Sequence, residues 1–241
     1  MIRPVVNRSL TLALAVLMWG GSGALLHGQT LMQEPLGKTS EPKMTLFVTT
    51  LPPGYEAPMH QHGGVVFIYV LEAEIESQVE PNPPKIYHAG DFFHEPPMQV
   101  HRTFRNLSKT APAKFLNFSN IATQNTGTQN ASGVTARVLL QEALANLTEQ
   151  EVCVIKITTA PGAPAAAAHQ HPGPVFAYLL KGEVESHVEP GEPRVYRAGD
   201  VFYEPPLHIH RSYRNLSETN PAELLVFEVR EKGQPLAVAP K

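Results

Sequence analysis

Short apolar runs rich in β-branched and aromatic residues recur along the chain, separated by clusters of proline, glycine and asparagine. Met44-Thr45-Leu46-Phe47-Val48-Thr49-Thr50 ends in Pro52-Pro53-Gly54, and Val152-Cys153-Val154-Ile155-Lys156-Ile157-Thr158-Thr159 ends in Pro161-Gly162. Such runs bounded by turn residues read as strands. Val65-Val66-Phe67-Ile68-Tyr69-Val70-Leu71 and Val175-Phe176-Ala177-Tyr178-Leu179-Leu180 predict two more. Glu74-Ile75-Glu76-Ser77-Gln78-Val79-Glu80 and Glu183-Val184-Glu185-Ser186-His187-Val188-Glu189 alternate polar with apolar residues, the pattern of a half-exposed sheet. Short strands at regular intervals predict an all-β sandwich or barrel.

The runs come in pairs because one module is written twice. His60-Gln61-His62 is echoed by His169-Gln170-His171, 109 residues on, and each pair has a later histidine, His101 or His210, 41 residues after its first member. Earlier, Leu31-Met32-Gln33-Glu34 matches Leu139-Leu140-Gln141-Glu142 at an offset of 108, so the intervening segments differ by one residue. Between the repeats, residues 119–133 have the Asn, Thr, Gln, Ser and Gly composition of a linker. The expected organisation is a leader over 1–28, domains over 29–118 and 134–229, the 119–133 linker, and a flexible tail over 230–241. Each repeat alone would be marginally stable, so the two halves are expected to pack together.

Composition adds limits. The formal charge of −3 offers no basic surface for nucleic acid. The 23 prolines favour turns and short strands over long helices. Arg3 and Arg8 precede the apolar run Leu10–Trp19, and Gly20, Gly21, Ser22, Gly23 and Ala24 follow, the order of a secretory signal peptide cleaved between Ala24 and Gln29. A periplasmic or secreted protein is expected, with no stable membrane span after processing. Cys153 is the one cysteine, so no internal disulfide forms, and its apolar surroundings predict a buried, inert thiol.

Alternate residues of a strand point the same way, so His60 and His62 share a face, as do His169 and His171. A third imidazole from a neighbouring strand, His101 or His210, would complete a metal-binding triangle. Packing histidines copied by duplication would give the same pattern, but three of them without partners inside a sheet would be costly to bury.

These residues resemble the cupin family. Its first motif is G-x5-H-x-H-x3,4-E-x6-G, and Gly54, His60 and His62 stand at that spacing. Its second motif, G-x5-P-x-G-x2-H-x3-N, is matched by Gly90, Pro96 and His101 and by Gly199, Pro205 and His210. The resemblance spans both repeats and implies a bicupin, two tandem jelly-roll-like β-barrels each carrying a site inside. The sequence departs from the motifs in three ways. Val66 and Val175 replace the first-motif glutamate. Met98 and Leu207 replace the second-motif glycine, with Asn106 and Asn215 one residue late. Ala73 stands where repeat two keeps Gly182.

Three neutral imidazoles without that carboxylate would leave a divalent ion its full charge and open positions. The resemblance implies iron or manganese, with zinc, nickel or copper as alternatives, and a small-molecule substrate, with dioxygenase-like chemistry ahead of isomerase, lyase or hydrolytic chemistry. A non-catalytic module binding a small ligand is the alternative, and homo-oligomerisation is left open. Glu95 and Glu204 precede the Pro-Pro turns. Pointing inward, they would serve as substitute ligands or general acid–base groups; pointing outward, they would be solvated, and the turn prevents alternation from deciding. Tyr69 and Tyr178 are either barrel-core aromatics or proton donors. Arg105 and Arg214 are either turn-surface residues or carboxylate binders.

Overall fold

The computed structural model of the protein describes residues 26–35, 43–120, 133–143 and 150–241. The expected leader lies outside the described residues as far as 25, and the linker does so over 121–132. Repeat one contains β1 (Leu26–Pro35), β2 (Lys43–Leu51), β3 (Val66–Glu72), β4 (Glu74–Val79), β5 (Lys85–His88), β6 (Phe92–Glu95), β7 (His101–Asn106) and β8 (Ala113–Ser119). Repeat two contains β9 (Thr135–Ala143), β10 (Gln150–Thr159), β11 (His169–Gln170), β12 (Val175–Lys181), β13 (Glu183–Val188), β14 (Arg194–Arg197), β15 (Val201–Glu204), β16 (Ile209–Asn215) and β17 (Ala222–Glu231). Among the described residues there is no helix, and so none long and apolar enough to cross a membrane.

Each barrel sets a five-stranded sheet against a smaller one. The first combines β6-β3-β8-β2-β9 with β5-β4-β7, and the second combines β1-β10-β17-β12-β15 with β11-β16-β13-β14. All ladders are antiparallel, and the interior is filled from alternate positions of the strands. Ile68, Val70, Ile75, Phe93 and Phe115 fill the first barrel. Ile155, Ala177, Leu179, Phe202 and Leu224 fill the second.

The sheets do not follow the sequence repeat. β1 belongs to repeat one but pairs with β10 of the second barrel, from Leu26 opposite Thr159 to Pro35 opposite Glu151. In return β9, the first strand of repeat two, pairs with β2 of the first barrel. The boundaries 29–118 and 134–229 therefore delimit the repeats and not the barrels. Without the exchange the outer edges of β2 and β10 would present unpaired backbone groups.

The two five-stranded sheets face one another. Between them Phe118 lies 4.9 Å from Phe176 and 4.6 Å from Phe227, ring centre to ring centre. Met44, Leu46, Phe67, Val154 and Leu225 complete this layer. β3 and β12 are thus covered on both faces, which is why their sequences are apolar throughout. Tyr69 and Tyr178 belong to this layer between the barrels and not to the barrel interiors, so neither is placed to give a proton at the histidines. Burial raises the pKa of both hydroxyls.

Two further expectations are adjusted. The 230–241 segment is mostly exposed but anchored at two places: Arg230 and Glu231 finish β17, and Val238 exchanges backbone hydrogen bonds of 2.9 and 2.8 Å with Gln170. β11 is only two residues long and has a free edge, which the tail covers. Arg105 and Arg214 lie within β7 and β16 rather than in turns, and pair across the sheet with Glu76 and Glu185. The late asparagines act in the framework. Buried Asn106 donates to the carbonyls of Pro52 and Ala111 and accepts from Ser108 N, and Asn215 repeats this with Asn220 and Ser217. Cys153 is buried, and burial pushes its thiol up to about 11, so it is protonated and inert at neutral pH.

Candidate metal centre

Register brings the three histidines together. His60 and His101 are directly opposed, with His60 N donating to His101 O and His101 N to His60 O at 3.1 and 2.8 Å. His169 and His210 are paired in the same way between β11 and β16. Opposed side chains share a face, and the residue two further on shares it too. The rings follow: His60 lies 4.8 Å from His62 and 4.9 Å from His101, and His169 lies 4.9 Å from His171 and 5.0 Å from His210.

A carboxylate completes each group, and it comes from a different strand than the family motif provides. Val66 stands at the motif glutamate position, and its direct partner on β6 is Glu95. Val175 and Glu204 are related identically. The side chains of a directly opposed pair point to one face with Cβ atoms ~5 Å apart. The acid has thus moved across one rung of the ladder and still reaches the site. Glu95 Oε1 lies 3.0 Å from His101 Nδ1, and Oε2 lies 3.0 Å from His62 Nε2. In the second barrel Glu204 Oε2 is 2.9 Å from His210 Nδ1 and 3.5 Å from His171 Nε2. The expected three-histidine centre with an uncompensated ion is therefore corrected to three imidazoles and one carboxylate. His60, His62, Glu95 and His101 form one group, and His169, His171, Glu204 and His210 the other, each with its ligand atoms within 4.8 Å of one another.

The turn between Glu95 and His101 locks this arrangement. Met98 N donates to His62 O at 2.8 Å, and Gln61 Nε2 donates to Met98 O at 3.2 Å. Leu207 and Gln170 repeat both contacts. The turn needs a left-handed residue, and Met98 (φ 61°) and Leu207 (φ 60°) adopt that conformation where the motif has glycine. Ala73 does the same at φ 69°, matching Gly182 at 87°.

Neighbouring groups fix which nitrogen faces inward. His60 Nδ1 lies 2.7 Å from Pro58 O and His169 Nδ1 2.9 Å from Ala167 O. A carbonyl only accepts, so Nδ1 carries the proton and Nε2 presents its lone pair to the centre. His101 and His210 are held from behind by Ser77 and Ser186, each 2.9 Å from Nε2, and aim Nδ1 at the carboxylate. Burial alone would raise the Glu95 carboxyl, but His101 and His62 outweigh it and hold the acid at about 2. Glu204 is shifted downward for the same reason, chiefly by His210. Burial lowers His60, and lowers His169 to about 4, so both rings are neutral at physiological pH.

The donor set fits a divalent transition metal. Among the described residues Glu95 Oε2, His101 Nδ1, Glu204 Oε2 and His210 Nδ1 are buried without a well-aligned hydrogen bond, although an oppositely polar atom lies about 3 Å away. Atoms packed closely yet out of line for hydrogen bonding suit ligands to one ion. With metal–ligand bonds of ~2.1 Å, adjacent ligands at right angles stand ~3.0 Å apart, against the 3.0 Å edges at Glu95 and the 3.1 Å between His169 Nε2 and His171 Nε2. Three imidazoles and a carboxylate suit manganese, iron, zinc, nickel or copper.

The two sites differ in their surroundings. The first opens on a cavity of about 310 Å³ that includes His60, His62, Glu95 and His101 in its wall. In the second, His171 Nδ1 is 2.7 Å from Leu236 O of the tail and 3.6 Å from Glu228 Oε2. Glu228 is fully buried, and among the described residues neither of its oxygens meets a well-aligned hydrogen-bond donor. Burial lowers the imidazolium of His171, but Glu228 and Glu204 outweigh it and hold the group at about 9. Repeat one has Ser119 at the place of Glu228. A charged residue inside the apolar run Leu224–Val229 was the available signal for Glu228, and the repetition of Ser77 and Ser186 on inward positions was the signal for the serines.

Comparison with known proteins bears on the fold. No curated protein matches the sequence. Among solved structures, oxalate decarboxylase of Bacillus subtilis, described with Mn(II) centres, superposes with a TM-score of 0.57 at 17% identity, covering 90% of this chain and 75% of that one. Salicylate 1,2-dioxygenase of Pseudoaminobacter salicylatoxidans gives 0.56 at 15% identity, over 80% of this chain and 77% of that one. AerE of Microcystis aeruginosa gives 0.54 at 16% identity, over 84% of this chain and 99% of that one. At these identities the likeness is one of fold. The cupin domain is matched directly in the sequence over residues 47–119 and again over 155–228, and the chain belongs to the cupin family as a bicupin.

Proposed function

We propose that the protein is an exported, metal-dependent enzyme that acts on a small molecule in its first barrel, with oxygenation as the favoured reaction and iron or manganese as the favoured metals. The observation that carries this reading is the cavity of about 310 Å³ with His60, His62, Glu95 and His101 in its wall. A divalent ion held by these four residues would supply Lewis acidity. The chain's own residues then have defined tasks. Pro58 O and Ser77 Oγ hold the rings of His60 and His101 in place, and Glu95, ionised at neutral pH, supplies the anionic ligand. Phe47, Ile68, Phe104 and Phe115 give the cavity an apolar wall that excludes water around a bound substrate.

A second reading, small-ligand binding without chemistry, draws on one observation. Beyond the four ligands, Tyr55 is the one titratable side chain in the cavity wall among the described residues, so proton transfer has few candidates there. Metal analysis of the purified chain, repeated with His101→Ala and His210→Ala, tests the metal. Two equivalents falling to one in either variant are expected, and no bound metal under any supplementation overturns the reading. Dioxygen uptake with ring diols and hydroxy acids then separates enzyme from binder. The leader-like residues 1–28 support export, which the mass of the mature chain checks.

A further inference from the structure

The first cavity carries a polar pair that the second barrel lacks. Asn117 on β8 and Thr49 on β2 both line it, both are buried, and Asn117 Nδ2 donates to Thr49 Oγ1 at 2.9 Å. Among the described residues Thr49 is the one hydrogen-bond partner of the Asn117 side chain, so the amide oxygen and the second N–H remain for whatever fills the cavity. The equivalent positions in repeat two are Val226 and Ile157, which pack in that barrel's apolar core. The pair is thus dispensable to the fold.

Its position sets the length of the ligand. Glu95 is opposite Val66, and Val66 is opposite Ser119. Asn117 is the next inward residue along β8, ~6.8 Å further into the barrel. A six-membered ring with substituents at opposite ends spans such a distance. The wall between, from Phe47, Ile68, Phe104 and Phe115, is apolar, and among the described residues no lysine or arginine lines the cavity. A second negative charge at the deep end would be buried without a counter-ion.

We propose that the first barrel selects a single-ring molecule that carries an anionic or chelating group at the histidine end and an uncharged hydroxyl or carbonyl bound by Asn117 and Thr49 at the other. The inference rests on the metal-centre reading for the histidine end only. The second barrel, with Val226 and Ile157, does not bind this ligand.

Titration of the full-length, Mn²⁺-loaded protein with benzoate, 4-hydroxybenzoate and terephthalate tests it. 4-Hydroxybenzoate should bind about tenfold more tightly than benzoate, and terephthalate at least tenfold more weakly than 4-hydroxybenzoate. Asn117→Val and Thr49→Ile copy the second barrel, and each should reduce the preference for the hydroxyl to within threefold. Equal binding of benzoate and 4-hydroxybenzoate by the wild type, tight binding of terephthalate, or a preference that survives Asn117→Val would overturn the proposal. A metal-free arm keeps the two readings apart: phenol should bind more tightly than benzene by ligand-observed NMR, and Asn117→Val should abolish the difference. A protein that holds no metal yet shows this preference refutes the metal centre alone. One that binds metal and shows no preference refutes the ligand class alone.

Discussion

Exchanging the residues across one rung of the first barrel tests how the metal centre is built. Val66 and Glu95 are direct partners on β3 and β6 with Cβ atoms ~5 Å apart, and both face the histidines. Glu95→Val removes the anionic ligand. In the metal-free protein the surrounding imidazoles hold this acid at about 2 instead of 4.5, an interaction of about 3 kcal/mol. Toward a cation the loss should be of at least the same order. Removing a group that only supports a ligand costs 10–100-fold in affinity, so removing the ligand itself should cost at least ~100-fold, or ~2.7 kcal/mol. Adding Val66→Glu returns a carboxylate to the family's usual position and should restore affinity to within about tenfold of wild type. Competition against a chelating dye measures this, with the second barrel as internal reference. Affinity within threefold of wild type in Glu95→Val would show that the imidazoles suffice. A double variant that folds with unchanged thermal stability but binds no better than Glu95→Val would refute the relocation argument.

Other outcomes follow from the same geometry. Met98→Gly and Leu207→Gly should each stabilise the protein, since relief of ~1–2 kcal/mol of left-handed strain exceeds the ~0.5–1 kcal/mol entropic cost of glycine; a fall in Tm would show that these side chains contribute contacts that outweigh the strain. Removing residues 232–241 takes the Leu236 carbonyl from His171 and should weaken the second metal site about 10–100-fold in a chelator competition while the first is unchanged. Without metal, stability in urea should peak between pH 6 and 7. On the acid side, unfolded His169 takes a proton near 6.5 that the folded ring refuses until about 4, so stability falls across that window, and Glu95 extends the loss from 4.5 to about 2. On the alkaline side, the raised His171 contributes below 6.5 and loses that contribution as pH rises to about 9, a limb that His171→Gln should remove.

The histidines were legible because duplication preserved both their spacing and their alternation, and two opposed strands turn that pattern into a triangle. The carboxylate was not, because the Pro96-Pro97 turn breaks the strand period just after Glu95 and only the register of β6 against β3 fixes its direction. Tyr69 and Tyr178 were ambiguous for another reason: a strand apolar on both faces carries no phase, so its sequence does not tell the barrel interior from the layer between barrels. The tail escaped because its partner is the short edge of β11, and its own composition carries no strand signal. The trade of β1 and β9 lay furthest from the sequence, since either strand satisfies either edge by local propensity and only long-range packing chooses.

That trade governs how the molecule can be assembled. β1 is made first, yet its partner β10 begins at Gln150, and at ~5–20 residues per second the ribosome delivers that strand many seconds later. The first barrel likewise waits for β9. The first barrel can close only once Ala143 is made and the second only once β17 is, so neither lobe is completed by its own repeat alone. A single copy of the repeat would carry one such strand, to lay on its own sheet or to trade with another copy. Two copies trading strands would make a swapped dimer, and this polypeptide holds the same exchange within one chain.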